Sequence, residues 1–417
     1  MHLMRKRDSF FIVWTFLVSC ANIFLRMSIL PKLKNTTVFL GCGFAAKYLL
    51  GGGNFSVPLQ WMLGLRRMGA DAIWLEIFPA TENPESDAQH IRVFQERLAQ
   101  HGLSDSYCLL YHRCPGEEQE LAQMETYGLS MADFEKRLNR SNILLNLSYS
   151  IHPPLLQRFE RKIFCDLDPG EISYWMAQLE MGQSYHDAFW TIGLNLDAPD
   201  CTAAKAVMPR KMFYPLVDTE LFRPMPRPKR PRFTTVTQWY WGKYMEFDGK
   251  YLELSKQAAF QQYMQLPSLV PEAEMELAVN LNEDDPERDR IRSFGWGLVH
   301  PHEVAPGPLE YRDYIAGSLA EFTPVKQADA LWRTGWFSDR AAAYLATGRP
   351  EITEDTTASR YLPEESGVLL VSSLEEAAEA VRRVMKDWDY LSARARETAV
   401  EYFDSAKNLE RILTDVL

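Results

Sequence analysis

The sequence predicts an α/β protein in which two parallel-sheet halves are joined by a proline-rich linker. Three observations carry this reading. From residue 36 onward, strand-length apolar runs alternate with helical segments, and repeated strand and helix units imply a parallel sheet covered on both faces. Around Pro209, Pro215, Pro224, Pro226, Pro228 and Pro231 the chain turns basic and proline-rich, and prolines supply no ladder donors and fix the backbone's direction. The length of 417 residues, at roughly 150 residues per domain, gives two or three domains with large cores.

Residues 1–35 read as an N-terminal extension. Arg5, Lys6 and Arg7 precede an apolar run over residues 10–25, the order of a signal peptide or membrane anchor. The run is shorter than the roughly 20 residues a spanning helix needs, and Arg26 closes it. Leu17-Val18-Ser19-Cys20 resembles a loose lipoprotein box. The plainer reading is an upstream start codon or dispensable extension, with Met27 just ahead of the first good strand. A cytoplasmic protein is therefore expected, with membrane anchoring or peripheral membrane association through this segment as the alternative.

Residues 36–208 form the first domain. Residues 37–40 are a strand, and Ser56 precedes a helix with apolar Leu59, Met62 and Leu63 that stops at Gly69. Further strands are expected at 72–78, 143–147 and 162–165. Residues 209–232 are the linker. The second domain, 233–400, has strands at 233–237, 277–281, 297–299, 320–325 and 368–371 and a helix over 338–347. Ser373-Leu374-Glu375-Glu376 is a capping box, and Leu374, Ala377, Val381, Val384, Met385 and Trp388 share one helical face. Residues 401–417 end the chain as a helix. Two such halves create a cleft, a common ligand site.

Composition excludes several classes. Hydrophobic residues at 46% and charged residues at 24% fit neither a disordered chain nor a polytopic membrane protein. Forty-five Lys and Arg against 56 Asp and Glu give a net charge of -11 and a pI near 5.4, which disfavours phosphate-backbone binding and so nucleic acid. The six cysteines, Cys20, Cys42, Cys108, Cys114, Cys165 and Cys201, form no C-x-x-C pair. Buried thiols in a reducing compartment are expected rather than zinc or disulfides.

Three motifs carry chemistry. Gly41-Cys42-Gly43-Phe44-Ala45-Ala46 after the first strand matches the G-x-G-x-x-A loop of a dinucleotide site. Gly51-Gly52-Gly53 interrupts the segment where the helix should open, however, and no acidic residue ends the next strand about 20 residues on. An NAD(P)-dependent oxidoreductase is thus a lesser rival. Asp166-Leu167-Asp168-Pro169-Gly170 follows an apolar run and reads as a loop at a strand's carboxyl end, with a metal-binding D-x-D as the alternative. Gly51-Gly52-Gly53-Asn54 is either a flexible turn or a loop whose backbone N–H groups meet a phosphate or sugar ahead of a helix.

Gly52-Gly53-Asn54-Phe55-Ser56-Val57-Pro58, Gly64-Leu65-Arg66-Arg67-Met68-Gly69 and Asp166-Leu167-Asp168-Pro169-Gly170 resemble the amino-terminal half of bacterial GT-B glycosyltransferases. Tyr311-Arg312-Asp313-Tyr314-Ile315, Ala320-Glu321-Phe322, Gly335-Trp336-Phe337-Ser338-Asp339-Arg340, Tyr344-Leu345-Ala346-Thr347-Gly348-Arg349-Pro350, Leu362-Pro363 and Gly367-Val368-Leu369-Leu370 resemble their donor-side half. The resemblance spans nearly the whole chain after residue 36. It implies two Rossmann-like domains facing across a cleft, with a nucleotide sugar held mainly by the second. That sugar is a co-substrate; no bound cofactor and no metal are implied. The acceptor, a glycan, lipid, protein or small molecule, approaches from the first domain.

On that resemblance, Ser338 caps the helix whose amino-terminal N–H groups meet the diphosphate, with Asp339 beside it and Arg340 adding charged hydrogen bonds. Arg349, Glu354, Asp355 and Thr356 complete the donor set, the carboxylates accepting ribose or sugar hydroxyls. Gly52, Gly53 and Asn54 form the acceptor or phosphate loop. His186, beside Asp187, is the expected base that deprotonates the acceptor, and Asp168 is the next candidate. Gly335 and Ala343 stand where retaining relatives carry two glutamates, so an inverting transfer is expected. Glu351 replaces a common valine, and Thr357 replaces a common glycine, which narrows or alters the pocket. A noncatalytic nucleotide- or glycan-binding relative is the other alternative.

Overall fold

The computed structural model describes residues 31–417 except 32, 115, 205–207, 243 and 248. The readings made on residues 1–30, including the apolar run, Cys20 and Met27, lie outside the described residues. Among the described residues no helix is long and apolar enough to cross a membrane.

The first sheet has eight strands: β1 (Thr37–Cys42), β2 (Asp71–Pro79), β3 (Tyr107–His112), β4 (Met124–Gly128), β5 (Asn142–Leu147), β6 (Arg161–Asp166), β7 (Ala188–Thr191) and β8 (Lys211–Met212). Their spatial order is β4-β3-β2-β1-β5-β6-β7-β8, parallel except that β4 runs antiparallel to β3. Every residue of β1 and β5 is buried, as continuous apolar central strands covered on both faces require. On one face Phe55, Trp61, Trp74 and Phe94 pack together. On the other, Phe39 lies edge-on to Phe134 and Phe159. Strand β8 falls inside the expected linker because Pro209 and Pro215 flank it without entering it. The N–H of Phe213, between those prolines, donates to the Thr191 carbonyl at 3.0 Å.

The second sheet is built from β9 (Arg232–Thr237), β12 (Glu274–Val279), β13 (Gly297–Val299), β14 (Ala320–Thr323), β15 (Glu351–Glu354) and β16 (Val368–Val371). Its order is β13-β12-β9-β14-β15-β16, all parallel. A hairpin of β10 (Tyr244–Phe247) and β11 (Lys250–Glu253) projects from the connection after β9. Its Met245 and Leu252 join Leu196 and Cys201 of the first domain and Trp332 of the second in a small shared core.

Four helices position the site: α1 (Gly52–Arg67), α2 (Pro169–Met176), α3 (Gln327–Trp332) and α4 (Asp339–Ala346). Helix α1 starts at the glycine tract, four residues before the cap expected at Ser56, because Gly52 and Gly53 form its first turn. The carboxyl end returns to the first domain. After a π turn (Ala399–Phe403), α5 (Ser405–Thr414) lies against α1. Gly64 permits the approach, since a Cβ there would meet Leu409 Cδ1 and Ser405 Oγ at 2.7 Å. Ala406, Leu409, Ile412 and Leu413 complete the first core, while Arg67 pairs with Asp218 at 3.0 Å and Asp404 at 2.7 Å.

Candidate functional site

The two sheets face each other across a cleft bordered by contacts on both flanks. On one flank the Gly52 N–H donates to the Ala305 carbonyl at 3.1 Å, and Arg97 donates to the Pro306 carbonyl at 2.5 Å. On the other, Gly193 pairs antiparallel with Trp336, and Asn195 takes the Thr334 carbonyl through its N–H and the Arg333 carbonyl through its side chain. Gly335 makes that pairing feasible: its φ is +73°, and a Cβ would stand 2.4 Å from the Asn195 nitrogen.

At the carboxyl end of β6 the chain turns into α2 through Asp166-Leu167-Asp168. Asp166 is buried and accepts from Thr191 Oγ1 at 2.8 Å and from the Asp168 N–H at 2.9 Å, so it holds the turn. Burial raises it to about 7. Asp168, at the amino end of α2, is partly exposed and meets Lys326 Nζ of the second domain at 2.9 Å. Opposite it stands the amino terminus of α4. Ser338 Oγ accepts the Arg340 N–H at 3.1 Å, as its expected cap role requires. Burial, and then the Asp168 charge, raise Asp339 to about 7, so a carboxyl from each domain faces the same space. A small pocket below the α4 terminus is lined by Thr323, Val325, Trp336, Ser338, Glu351 and Glu354, among others.

Other expected site residues are held differently. Arg340 turns inward: its Nε pairs with buried Glu321, and Nη1 and Nη2 donate to the Val236 carbonyl and Thr323 Oγ1, both at 3.1 Å. A buried carboxylate demands a counter-charge, and that demand, not a ligand, orients the guanidinium. Arg349 is wholly buried, donates to the carbonyls of Ala316, Met225, Thr347 and Pro226 and lies over Trp388. It ties the linker to the second domain and has no free face for a donor. His186 is buried with both nitrogens engaged: Nδ1 at 2.6 Å from the Gly182 carbonyl and Nε2 at 3.1 Å from Asn146 Nδ2. Burial lowers it to about 4, so it is a neutral packing residue with no lone pair left for a proton. Asp187 turns away to the Lys162 N–H at 2.7 Å.

Gly52 and Gly53 press against the second domain. A Cβ at Gly52 would stand 2.2 Å from the Gly307 carbonyl oxygen, and one at Gly53 would stand 3.3 Å from Tyr311. At Gly52 the Ala305 and Gly307 backbone occupies the approach a phosphate would need, whereas half-buried Gly53 faces the Tyr311 ring and Asn54 is exposed beside them. Glu354 borders the pocket, but its oxygens accept from Tyr263 at 3.1 Å, Gln262 at 2.5 Å and the Val325 N–H at 2.9 Å. Asp355 is exposed and caps Ser359. Thr356 Oγ1 donates to the Trp336 carbonyl at 2.7 Å. Thr357 adopts φ +74°, the backbone its expected glycine would take. The G-x-G-x-x-A loop is filled internally: buried Glu76 accepts from the Ala46 N–H and Trp74 Nε1, both at 2.9 Å. A pyrophosphate would meet a carboxyl there, so the dinucleotide reading fails on geometry.

Sequence reasoning missed Lys256, Lys326, Asp329 and the Glu321–Glu351 pair. Lys256 is buried, donates to Thr323 Oγ1 at 3.3 Å and the Pro324 carbonyl at 2.5 Å, and is lowered by burial and by Arg340 to about 7. Glu321 and Glu351 are register partners on β14 and β15. Burial and the Glu321 charge push Glu351 far above the carboxylate range, which leaves Arg340 balancing one negative charge. The signal for Glu351 was its departure from valine; nothing local marks the two lysines. Among the described residues no group of three or more His, Cys, Asp or Glu side chains is arranged to hold a metal ion.

Two Rossmann-like domains with the site between the carboxyl ends of their strands define the GT-B fold. Solved structures agree. HepE from Anabaena, in complex with UDP-glucose, is similar over 92% of this chain and 99% of its own, with a TM-score of 0.53 and 10% identity. The pneumococcal O-GlcNAc transferase GtfA, in complex with UDP and GlcNAc, is similar over 92% and 99%, with a TM-score of 0.55 and 10% identity. The N-terminal domain of a Candida albicans trehalose-6-phosphate phosphatase is similar over 92% and 97%, with a TM-score of 0.53 and 9% identity. No protein-family model matches the sequence, and no curated protein matches it.

Proposed function

We propose that the chain is a glycosyltransferase that moves a sugar from a nucleotide-activated donor to an acceptor hydroxyl. The observation that carries this is the juxtaposition, across a GT-B cleft, of Asp168 at the α2 terminus with the amino terminus of α4. The free N–H groups and dipole of that terminus favour a diphosphate, and UDP or a UDP-sugar is bound by HepE and GtfA. Asp168, exposed to the cleft, takes the role first expected of His186. The acceptor oxygen attacks the anomeric carbon, its proton passes to Asp168, and the diphosphate departs with the bonding electron pair. The transfer is inverting and needs no metal, since backbone dipoles and lysines offset the leaving charge.

The test is binding followed by turnover. UDP or a related nucleotide should raise the melting temperature more than NADP does, and an acceptor panel should release free nucleoside diphosphate. Stabilisation by NADP alone would sink the reading. Binding without release across the panel would favour a noncatalytic relative, the reading supported by the inward turn of Arg340.

A further inference from the structure

Among the described residues, three basic side chains stand at the donor side of the cleft, and they differ in what holds them. Arg340 is committed to Glu321, and Lys256 to the β14 carboxyl end. Lys326, at the start of α3, is held by the opposite domain. Its Nζ lies 2.9 Å from Asp168 Oδ1 and 3.9 Å from Glu171 Oε2, above the Trp241 ring at 5.4 Å. Desolvation opposes its charge, and the carboxylates overcome that. Around it the cleft is acidic, with Asp168, Glu171, Asp329 and Asp339 all close by. A diphosphate entering there meets these carboxyl groups, and the α4 dipole, worth about half a charge, cannot balance two phosphates.

We propose that Lys326 is the movable cation of the site and that its ion pair with Asp168 is a switch between donor binding and base function. In the free protein the pair satisfies both groups. When a nucleoside diphosphate sugar binds, its phosphates compete for the ammonium, Lys326 turns to them, and Asp168 is left bare to take the acceptor's proton. The base is thereby released when the leaving group is in place. This rests on the transferase reading and adds to it a specific cost: the nucleotide must displace Asp168 from Lys326.

That cost gives a sign that a merely structural ion pair would not. The experiment is calorimetric titration of the full chain with UDP, for wild type, Lys326→Met, Lys326→Arg, Asp168→Asn and the Lys326→Met/Asp168→Asn double variant. Lys326→Met should weaken UDP binding by about 10- to 100-fold, the range of a lost charged hydrogen bond, and Lys326→Arg should restore most of it. Asp168→Asn should tighten UDP binding several-fold, because the competitor for the ammonium is gone, while abolishing turnover. In the Lys326→Met background the same change should tighten binding far less, since only carboxylate repulsion is relieved and there is no pair to break. Unchanged or weaker UDP binding in Asp168→Asn with Lys326 present would overturn the switch, and that arm decides the matter if Lys326→Met does not fold. If wild type binds neither UDP nor ADP, GDP or dTDP, the transferase reading falls and the switch with it. Wild-type binding without the sign change removes the switch alone.

Discussion

At Arg340 a guanidinium beside a helix terminus had two partners to choose from, a ligand outside or Glu321 inside, and burial decided it. The sequence shows the arginine two residues past a capping serine. Its counter-ion lies 19 residues upstream, and the β14–β15 register that sets Glu351 beside that counter-ion is not written in any local pattern. Arg340→Ala should therefore act first on stability, leaving a buried carboxylate uncompensated at about 3–5 kcal/mol, read from urea unfolding midpoints. A variant that unfolds like wild type but loses nucleotide affinity would restore Arg340 to the donor set. Asp166 offers a second test. Its folded value of about 7 stands above that of an unfolded aspartate near 4, so between about pH 4 and 7 the folded state binds the extra proton. Stability from this group is present below about pH 4 and is lost as pH rises through 7. Asp166→Asn should flatten that loss, gaining about 1–3 kcal/mol on wild type at pH 8 relative to pH 4 by paired denaturation curves. A variant equally destabilised at both pH values would refute it.

Elements tell a similar story of local legibility and distant override. Strands β1, β2, β5 and β6 were readable because each holds an apolar run in a covered position, and α4 because Ser338 caps an alanine-rich turn. The edge strand β4 and the two-residue β8 are short and half-polar, so neither period nor hydropathy marks them; the β10–β11 hairpin lies in a stretch where no element was read. The amino end of α1 is the instructive case. Three glycines read as a break, yet two of them are helical, and at Gly52 the Ala305–Gly307 backbone packs where a side chain would be. Gly52→Ala places a Cβ 2.2 Å from a carbonyl oxygen, and backbone cannot yield as a flexible side chain does. The helix itself would gain from alanine, by about 1 kcal/mol. The net expectation is a loss of about 1–3 kcal/mol from overpacking, visible as a lower melting temperature. A rise would mean that the flank contact opens in solution.

For the whole molecule, the two-domain α/β plan was legible from alternation and the proline-rich stretch, whereas the pairing of the chain's end with its beginning was not. Residues 401–417 read as a terminal helix and carry no mark of their docking site; Gly64, its counterpart on α1, looks like any helix-weakening glycine. Leu409, Ile412 and Leu413 are wholly buried, and burying each contributes about 1.5–3 kcal/mol. Together they approach the entire net stability of an ordinary domain, about 5–15 kcal/mol. A chain ending at Asp404 should therefore lose soluble expression or its cooperative thermal transition. Retention of both would show that α5 is dispensable. The consequence reaches into synthesis. A ribosome delivers the first sheet early, but the helix that seals its core leaves the exit tunnel only after the second domain is complete. The amino-terminal half must wait, partly open and with apolar surface showing, while the second domain is made. At about 5–20 residues per second, that wait lasts tens of seconds, long enough for chaperones to govern the yield.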